Sequence, residues 1–197
     1  MPGRRVTSFS SPVMRSFLSI SLSVLSLLAS LAPAQSMGQA FFADDGHVEF
    51  LSNVPLHSFV GVSDVLVGRI DLAENTVDFY VDLNTLDTGI GKRDKDMRKT
   101  LKTDQYPFAE FFGALQTAVD ATSTEPQEVE VVGDFSVHGI TRSLRIPGTL
   151  TFSEQGVRVQ ASWILNLKDY DIEPPRLLII KVDEEQEITM DIVLRPE

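Results

Sequence analysis

From Gly46 to Leu194 apolar residues recur at every second position, and this alternation limits what the chain can build. In TVDFYVDL, Val77, Phe79, Val81 and Leu83 are separated by Thr76, Asp78 and Asp82; in VEVVGDFSV the apolar set is Val129, Val131, Phe135 and Val137. Leu144, Ile146, Leu150 and Phe152 continue the pattern, followed by Val157, Val159, Ala161, Trp163, Leu165 and Leu167, and then by Ile188, Met190, Ile192 and Leu194. A period of two puts alternate side chains on opposite faces of a strand, one dry and one wet. Turn signals at Ala73-Glu74-Asn75, Ser153-Glu154-Gln155-Gly156 and Asp120 to Gln127 separate the runs. Connections this short join antiparallel neighbours, because a parallel pair needs a long crossover. Only KRDKDMRKTLKTD lacks the alternation and is rich in helix formers, so one short helix is expected there. Strands with one apolar face and almost no helix to cover it bury that face by closing into a barrel or pairing into a sandwich. The expectation from the pattern is all-β: seven or eight antiparallel strands, closed as a barrel or paired as a sandwich, with one short helix.

The first 34 residues have a different character. Arg4, Arg5 and Arg15 are their only charges, SFLSISLSVLSLLASLA is an apolar run, and Ala32-Pro33-Ala34 offers small residues for cleavage. That order matches a secretory signal peptide, cut before Gln35, and Met14 would serve as a second in-frame start. A short segment over 35–45 and the strand-forming domain over 46–197 follow, and the chain is expected to be exported. Without the leader, 17 Lys and Arg less those three face 28 Asp and Glu, a net charge of about −14. So acidic a surface repels phosphate backbones, and nucleic acid is not an expected partner. The chain has no cysteine, which excludes disulfides and thiolate chemistry.

Several motifs suggest chemistry and fail on context. Asp87-Thr88-Gly89 spells the aspartic-protease triplet, but that chemistry needs two carboxylates sharing a proton, and no second triplet of the kind is present. Asp87 is expected to end a strand and the chain to turn at Gly89. Gly89, Gly91 and Lys92 resemble a phosphate cradle, but Arg93 stands where a P-loop needs Ser or Thr. His47, His57 and His138 are too scattered for a zinc site, and no serine sits in a G-x-S-x-G elbow. His138 reads as a hairpin residue. No catalytic residue, metal or cofactor is expected.

Taken in order, SFVGVSDVLVGRIDL, LDTGIGKRDKDMRKTLKTDQYPFAEF and VVGDFSVHGITRSLRIPGTLTF resemble the YceI-like family of secreted lipid-binding domains. The most specific elements are Asp87-Thr88-Gly89 with Lys92-Arg93-Asp94, Tyr106-Pro107 with Phe111, and His138-Gly139-Ile140-Thr141. The resemblance implies that 46–197 form an antiparallel eight-stranded lipocalin-like barrel with one short helix after the fourth strand region, a periplasmic domain whose apolar tunnel holds an isoprenoid-like lipid such as a quinone or a polyprenyl phosphate, without catalysis. By strand phase, the residues it assigns to the tunnel are Phe50, Phe79, Val81, Phe111, Phe135, Val137, Ile146, Phe152, Trp163 and Met190. Lys92, Arg93 and Arg98 are the candidates for contact with a head group. SNVPLHSFVG and DYDIEPPRLLIIKVDEE depart from the family pattern and are expected to reshape the tunnel mouth. Transient membrane proximity and a homodimer are both compatible with such a carrier. An eight-stranded barrel can also be filled by its own side chains, and the competing expectation is a stress-related interaction module with a packed barrel and no ligand.

Overall fold

A computed structural model describes residues 40–54, 57–174, 176–177, 180–181 and 183–197. The expected leader, 1–34, lies outside the described residues, as do 35–39. Eight strands close into one antiparallel barrel: β1 (Ala40–Val54), β2 (His57–Asp71), β3 (Thr76–Asp82), β4 (Phe108–Leu115), β5 (Gln127–Val137), β6 (Ile140–Ser153), β7 (Gly156–Asn166) and β10 (Glu185–Pro196). Around the barrel each strand pairs with its chain neighbours, and β10 closes the ring by pairing with both β7 and β1. Between β7 and β10 sit β8 (Arg176–Leu177) and β9 (Ile180–Lys181), a two-stranded pair outside the barrel.

The helix α1 (Gly91–Leu101) falls between the third and fourth strands. It arrives early because β1 and β2 run 15 residues each, against a usual strand of about five or six, so two strands occupy sequence that would ordinarily hold more. The barrel also starts ahead of the boundary expected at Gly46. Phe41 and Ala43 already face the core, 3% and 2% exposed. The pairing of β1 with β2 then shifts between Ala43 and Gly46 and again before Val48. Asp44 and Asp45 are both exposed at this bulge, and the inward phase resumes at Gly46 and Val48. One extra residue in a strand moves every later side chain to the other face unless a bulge absorbs it. Arg195 donates to both carboxylate oxygens of Asp45, at 3.1 and 2.9 Å, and ties the bulge to the end of β10.

The two ends of the barrel differ. At the lower end, where β1 and β3 begin and β6 turns into β7, β2 stays paired with β3, β6 with β7 and β7 with β10, and the register shifts at the β1 bulge. Phe41 meets Phe152 edge-on with centroids 6.1 Å apart, and Val157, Ile192 and Leu194 pack around them with no more than 2% exposure. At the upper end the ladders part. β6 and β7 pair only from Gly148↔Ala161 to Ser153↔Gly156, although β6 begins at Ile140 and β7 ends at Asn166. β2 and β3 pair only from Val67↔Tyr80 downward. Above that point β2 meets Asp87 instead, through Val62 N–H to Asp87 O and Asp87 N–H to Val62 O, each 2.9 Å. The helix covers one parting, and a single turn of 3-10 helix, Leu167–Tyr170, covers the other.

Candidate functional site

The upper half of the barrel encloses a cavity of about 470 Å³. Its base is Ile70, Val77 and Leu150, which rest on the packed lower end. Residues of all eight barrel strands form the walls, and Ile90, Lys92, Arg93, Asp96, Met97, Thr100 and Leu101, on and beside α1, complete the upper rim. The volume lies within the ~300–1,000 Å³ range of small-molecule sites.

Nine of the ten expected tunnel residues stand in this wall: Phe50, Phe79, Val81, Phe111, Phe135, Val137, Ile146, Trp163 and Met190. Phe152 does not. It shares the inward face of β6 with Ile146 but lies two pleats below Gly148, where it packs on Phe41 and seals the floor. Strand phase identifies a face but not a height along it. Trp163 packs edge-on against Phe135 with centroids 6.2 Å apart, and Phe50 stands edge-on to Phe59 at 6.1 Å.

The basic cluster is arranged differently from its sequence expectation. Arg98 does not line the cavity; its Nη1 donates to the Asn84 carbonyl at 3.0 Å. Arg93 does line it, yet its guanidinium donates to Thr88 Oγ1 and to the Thr88 carbonyl, each at 2.9 Å, and its carbon lies 4.3 Å from the Phe59 ring centroid. Lys92 is 3.9 Å from Asp96, one helical turn on. Such a pair at i,i+4 on an exposed face contributes only a few tenths of a kcal/mol (~0.3–0.5).

What looks like a protease triplet is the loop that seats this helix. The Asp87 carboxylate accepts from Gly89 N–H at 2.7 Å, and Gly89 takes φ +74°, a conformation a side chain would resist. Asp94, 6% exposed, accepts from both Thr88 N–H (2.9 Å) and Thr88 Oγ1–H (2.5 Å). The Thr88 hydroxyl first, then its amide and the charges of Arg98 and Arg93, hold the Asp94 carboxyl below the usual carboxylate range despite desolvation. Asp87 and Asp94 therefore both serve the turn.

His138 occupies the two-residue β5–β6 turn at φ +56°, with Gly139 at +78°. Asn, Asp, His and Gly tolerate such angles better than branched residues do. Its Nδ1–H donates to the Tyr170 carbonyl at 2.9 Å, and Tyr106 packs against the ring at 5.7 Å, so the β5–β6 turn is clasped to the 3-10 turn. Burial, with a smaller contribution from Asp169, pushes the Tyr170 phenol up to about 12.

Residues beyond the expected set also reach the cavity: Met97 and Leu101 from α1, Leu167 and Ile172 around the 3-10 turn, and Ser52 and Gln186 at the upper ends of β1 and β10. The helical ones had a signal, since Ile90, Arg93, Met97 and Leu101 fall at three- and four-residue spacing and share one face. Ser52 and Gln186 had none beyond strand phase.

A model of the YceI-like domain matches residues 44–194. The solved structures include a polyisoprenoid binding domain from Saccharophagus degradans implicated in plant cell wall breakdown, with TM-score 0.70 and 21% identity over 81% of this chain and 99% of that one. Burkholderia cenocepacia BcnA gives TM-score 0.61 and 14% identity over 76% and 94% of the two chains. A mutant YceI protein of Campylobacter jejuni gives TM-score 0.51 and 10% identity over 80% and 84%. At these identities the structures establish a common fold. Among curated proteins nothing matches the chain.

Proposed function

Since the chain belongs to the YceI-like family, we propose that it binds and carries an isoprenoid-like lipid, a quinone or a polyprenyl phosphate, in the upper barrel cavity and does no chemistry on it. The observation that carries this is the hollow itself, about 470 Å³ with a wall that is almost wholly apolar. An isoprenoid tail is sparingly soluble in water, and each CH₂ removed from water gains ~0.8 kcal/mol. An apolar wall can therefore hold a tail without directional contacts. The Saccharophagus degradans domain, described as polyisoprenoid binding, supports the choice of ligand class. The apolar run before Ala32-Pro33-Ala34 supports export and a periplasmic carrier that meets a membrane when it loads and unloads.

The hollow also weighs against the competing role of a packed barrel without a ligand. Asp87 accepts from Gly89 N–H, which favours a structural role over acid-base work.

Trp163 is the single tryptophan and stands in the cavity wall, so its fluorescence reports occupancy directly. Titration with a long-chain isoprenoid should change the emission saturably at one equivalent. A spectrum unmoved by any isoprenoid, from protein first stripped by organic extraction and refolded, would overturn the carrier function.

A further inference from the structure

Two polar atoms in the cavity wall have no hydrogen-bond partner among the described residues, Ser52 Oγ and Trp163 Nε1. Both atoms are buried, and Ser52 as a whole is 0% exposed. They flank β10. Ser52 pairs with Gln186, which pairs with Leu165, and Trp163 pairs with Ile188, which pairs with Phe50. The two residues thus stand on either side of one strand, a single pleat step apart in height. His138 Nε2 and Tyr170 Oη are also unpartnered, but neither residue lines the cavity.

Gln186, Arg93 and Lys92, also in the lining, are engaged. Gln186 Nε2 donates to the Asp183 and Glu185 carbonyls at 2.8 and 3.1 Å. Arg93 is held on Thr88, and Lys92 faces Asp96. An unsatisfied buried donor is costly, and native chains leave few of them. An indole N–H only donates, whereas a serine hydroxyl can donate or accept, so a group that satisfies both atoms must present an acceptor.

We propose that Ser52 and Trp163 are the polar seat of the ligand and determine its specificity, taking an uncharged oxygen (carbonyl, hydroxyl or ether) of an otherwise apolar molecule inside the barrel wall. This rests on the carrier function proposed above and narrows it. A phosphate also accepts hydrogen bonds, but the cations of the lining are already engaged, Arg93 by Thr88 and Lys92 by Asp96, and burying an unpaired charge costs far more than burying a neutral dipole. The rim that would have to neutralise it also carries Asp96.

The test compares three probes of one carbon skeleton, each delivered from cyclodextrin and read by native mass spectrometry: geranylgeraniol, geranylgeranyl diphosphate and the saturated-ended hydrocarbon of equal length. The alcohol should bind about tenfold or more tighter than either of the others, a gap of roughly 1.4 kcal/mol or more. Ser52→Ala and Trp163→Phe should each weaken the alcohol about three- to tenfold and leave the hydrocarbon unchanged; two substitutions on separate strands guard against one variant failing to fold. Equal binding of alcohol and hydrocarbon, equal losses for both in the variants, or tightest binding of the diphosphate would overturn the seat while leaving a lipid carrier standing. Failure of all three probes on folded protein would instead overturn the carrier function, and the seat with it.

Discussion

The lower barrel and the upper barrel are built from the same eight strands with the same alternation, yet one is solid and the other hollow. Below Gly148 and Ala161 β6 stays paired with β7, and Phe41, Phe152, Val157, Ile192 and Leu194 fill the interior. Above it, β6 parts from β7 and β2 from β3, and the space between is roofed by α1 and a 3-10 turn. A closed tube of fixed strand number can be filled by large side chains. A tube whose walls part is too wide for them and is left hollow. The division assigns stability mainly to the floor and the proposed binding to the upper half.

The largest effect that tests this division is on folding. Leu194→Ala removes a side chain that is 0% exposed, from a region with no room to relax, and should cost about 3–5 kcal/mol. Ile146→Ala, in the wall of an existing hollow, loses mainly the transfer term and should cost about 1–2 kcal/mol. Urea unfolding of both measures the difference. Equal losses would mean that the hollow is closed in solution.

Second in size is the effect of filling. Ala161→Phe places a ring in the cavity and should cut isoprenoid uptake more than about tenfold while shifting the unfolding midpoint little. Val157→Phe, the same change in kind on the floor, should cost about 1–3 kcal/mol by overpacking. Uptake unaffected by Ala161→Phe would move the binding site out of the barrel.

How much of this contrast could be read from the chain alone follows from what a periodic pattern encodes. Alternation reports which face of a strand is dry, so Phe79, Phe135 and Trp163 were placed inward by residue type and phase. It does not report height, so Phe152 looked like a tunnel residue though it sits in the floor. It also breaks at a bulge, which hid Phe41 and Ala43 behind Asp44-Asp45. The positive charge of Lys92 to Lys99 was legible, but its engagement was not. Arg98 is held by the Asn84 carbonyl and Arg93 by Thr88, contacts that exist only once the loop after β3 has folded back under the helix. Ser52 resembles any strand serine until its neighbours are known to leave it without a partner.

A smaller effect concerns the roof. The Asp94 carboxyl titrates below its ordinary range because it is hydrogen-bonded to Thr88. Its contribution is complete above the unfolded carboxylate pKa of about 4 and is lost as pH falls through the lower folded value. Hydrogen exchange over residues 83–101 should accelerate as pH is lowered below about 4, after correction for intrinsic rates; the carboxyls of Asp45, Asp71 and Asp191 are held low as well, so the roof alone is tested by substitution. Asp94→Asn should produce the same local loosening at neutral pH, by about 1–2 kcal/mol. Uniform acceleration along the chain would join roof and floor into one cooperative unit.

The smallest effect is expected at the rim. Lys92→Glu should change affinity for a neutral isoprenoid less than about twofold, because the side chain is 83% exposed and screened by solvent. A larger loss would bring the basic rim back into ligand recognition.

The most direct measurement is native mass spectrometry of the protein purified from its own host without organic solvent, with lipid identification of whatever is released. The hollow upper barrel predicts a complex heavier than the chain by one guest, and a released molecule with an isoprenoid tail and an uncharged oxygenated head. A chain that flies at its bare mass from native material, and takes up no isoprenoid afterwards, would contradict it.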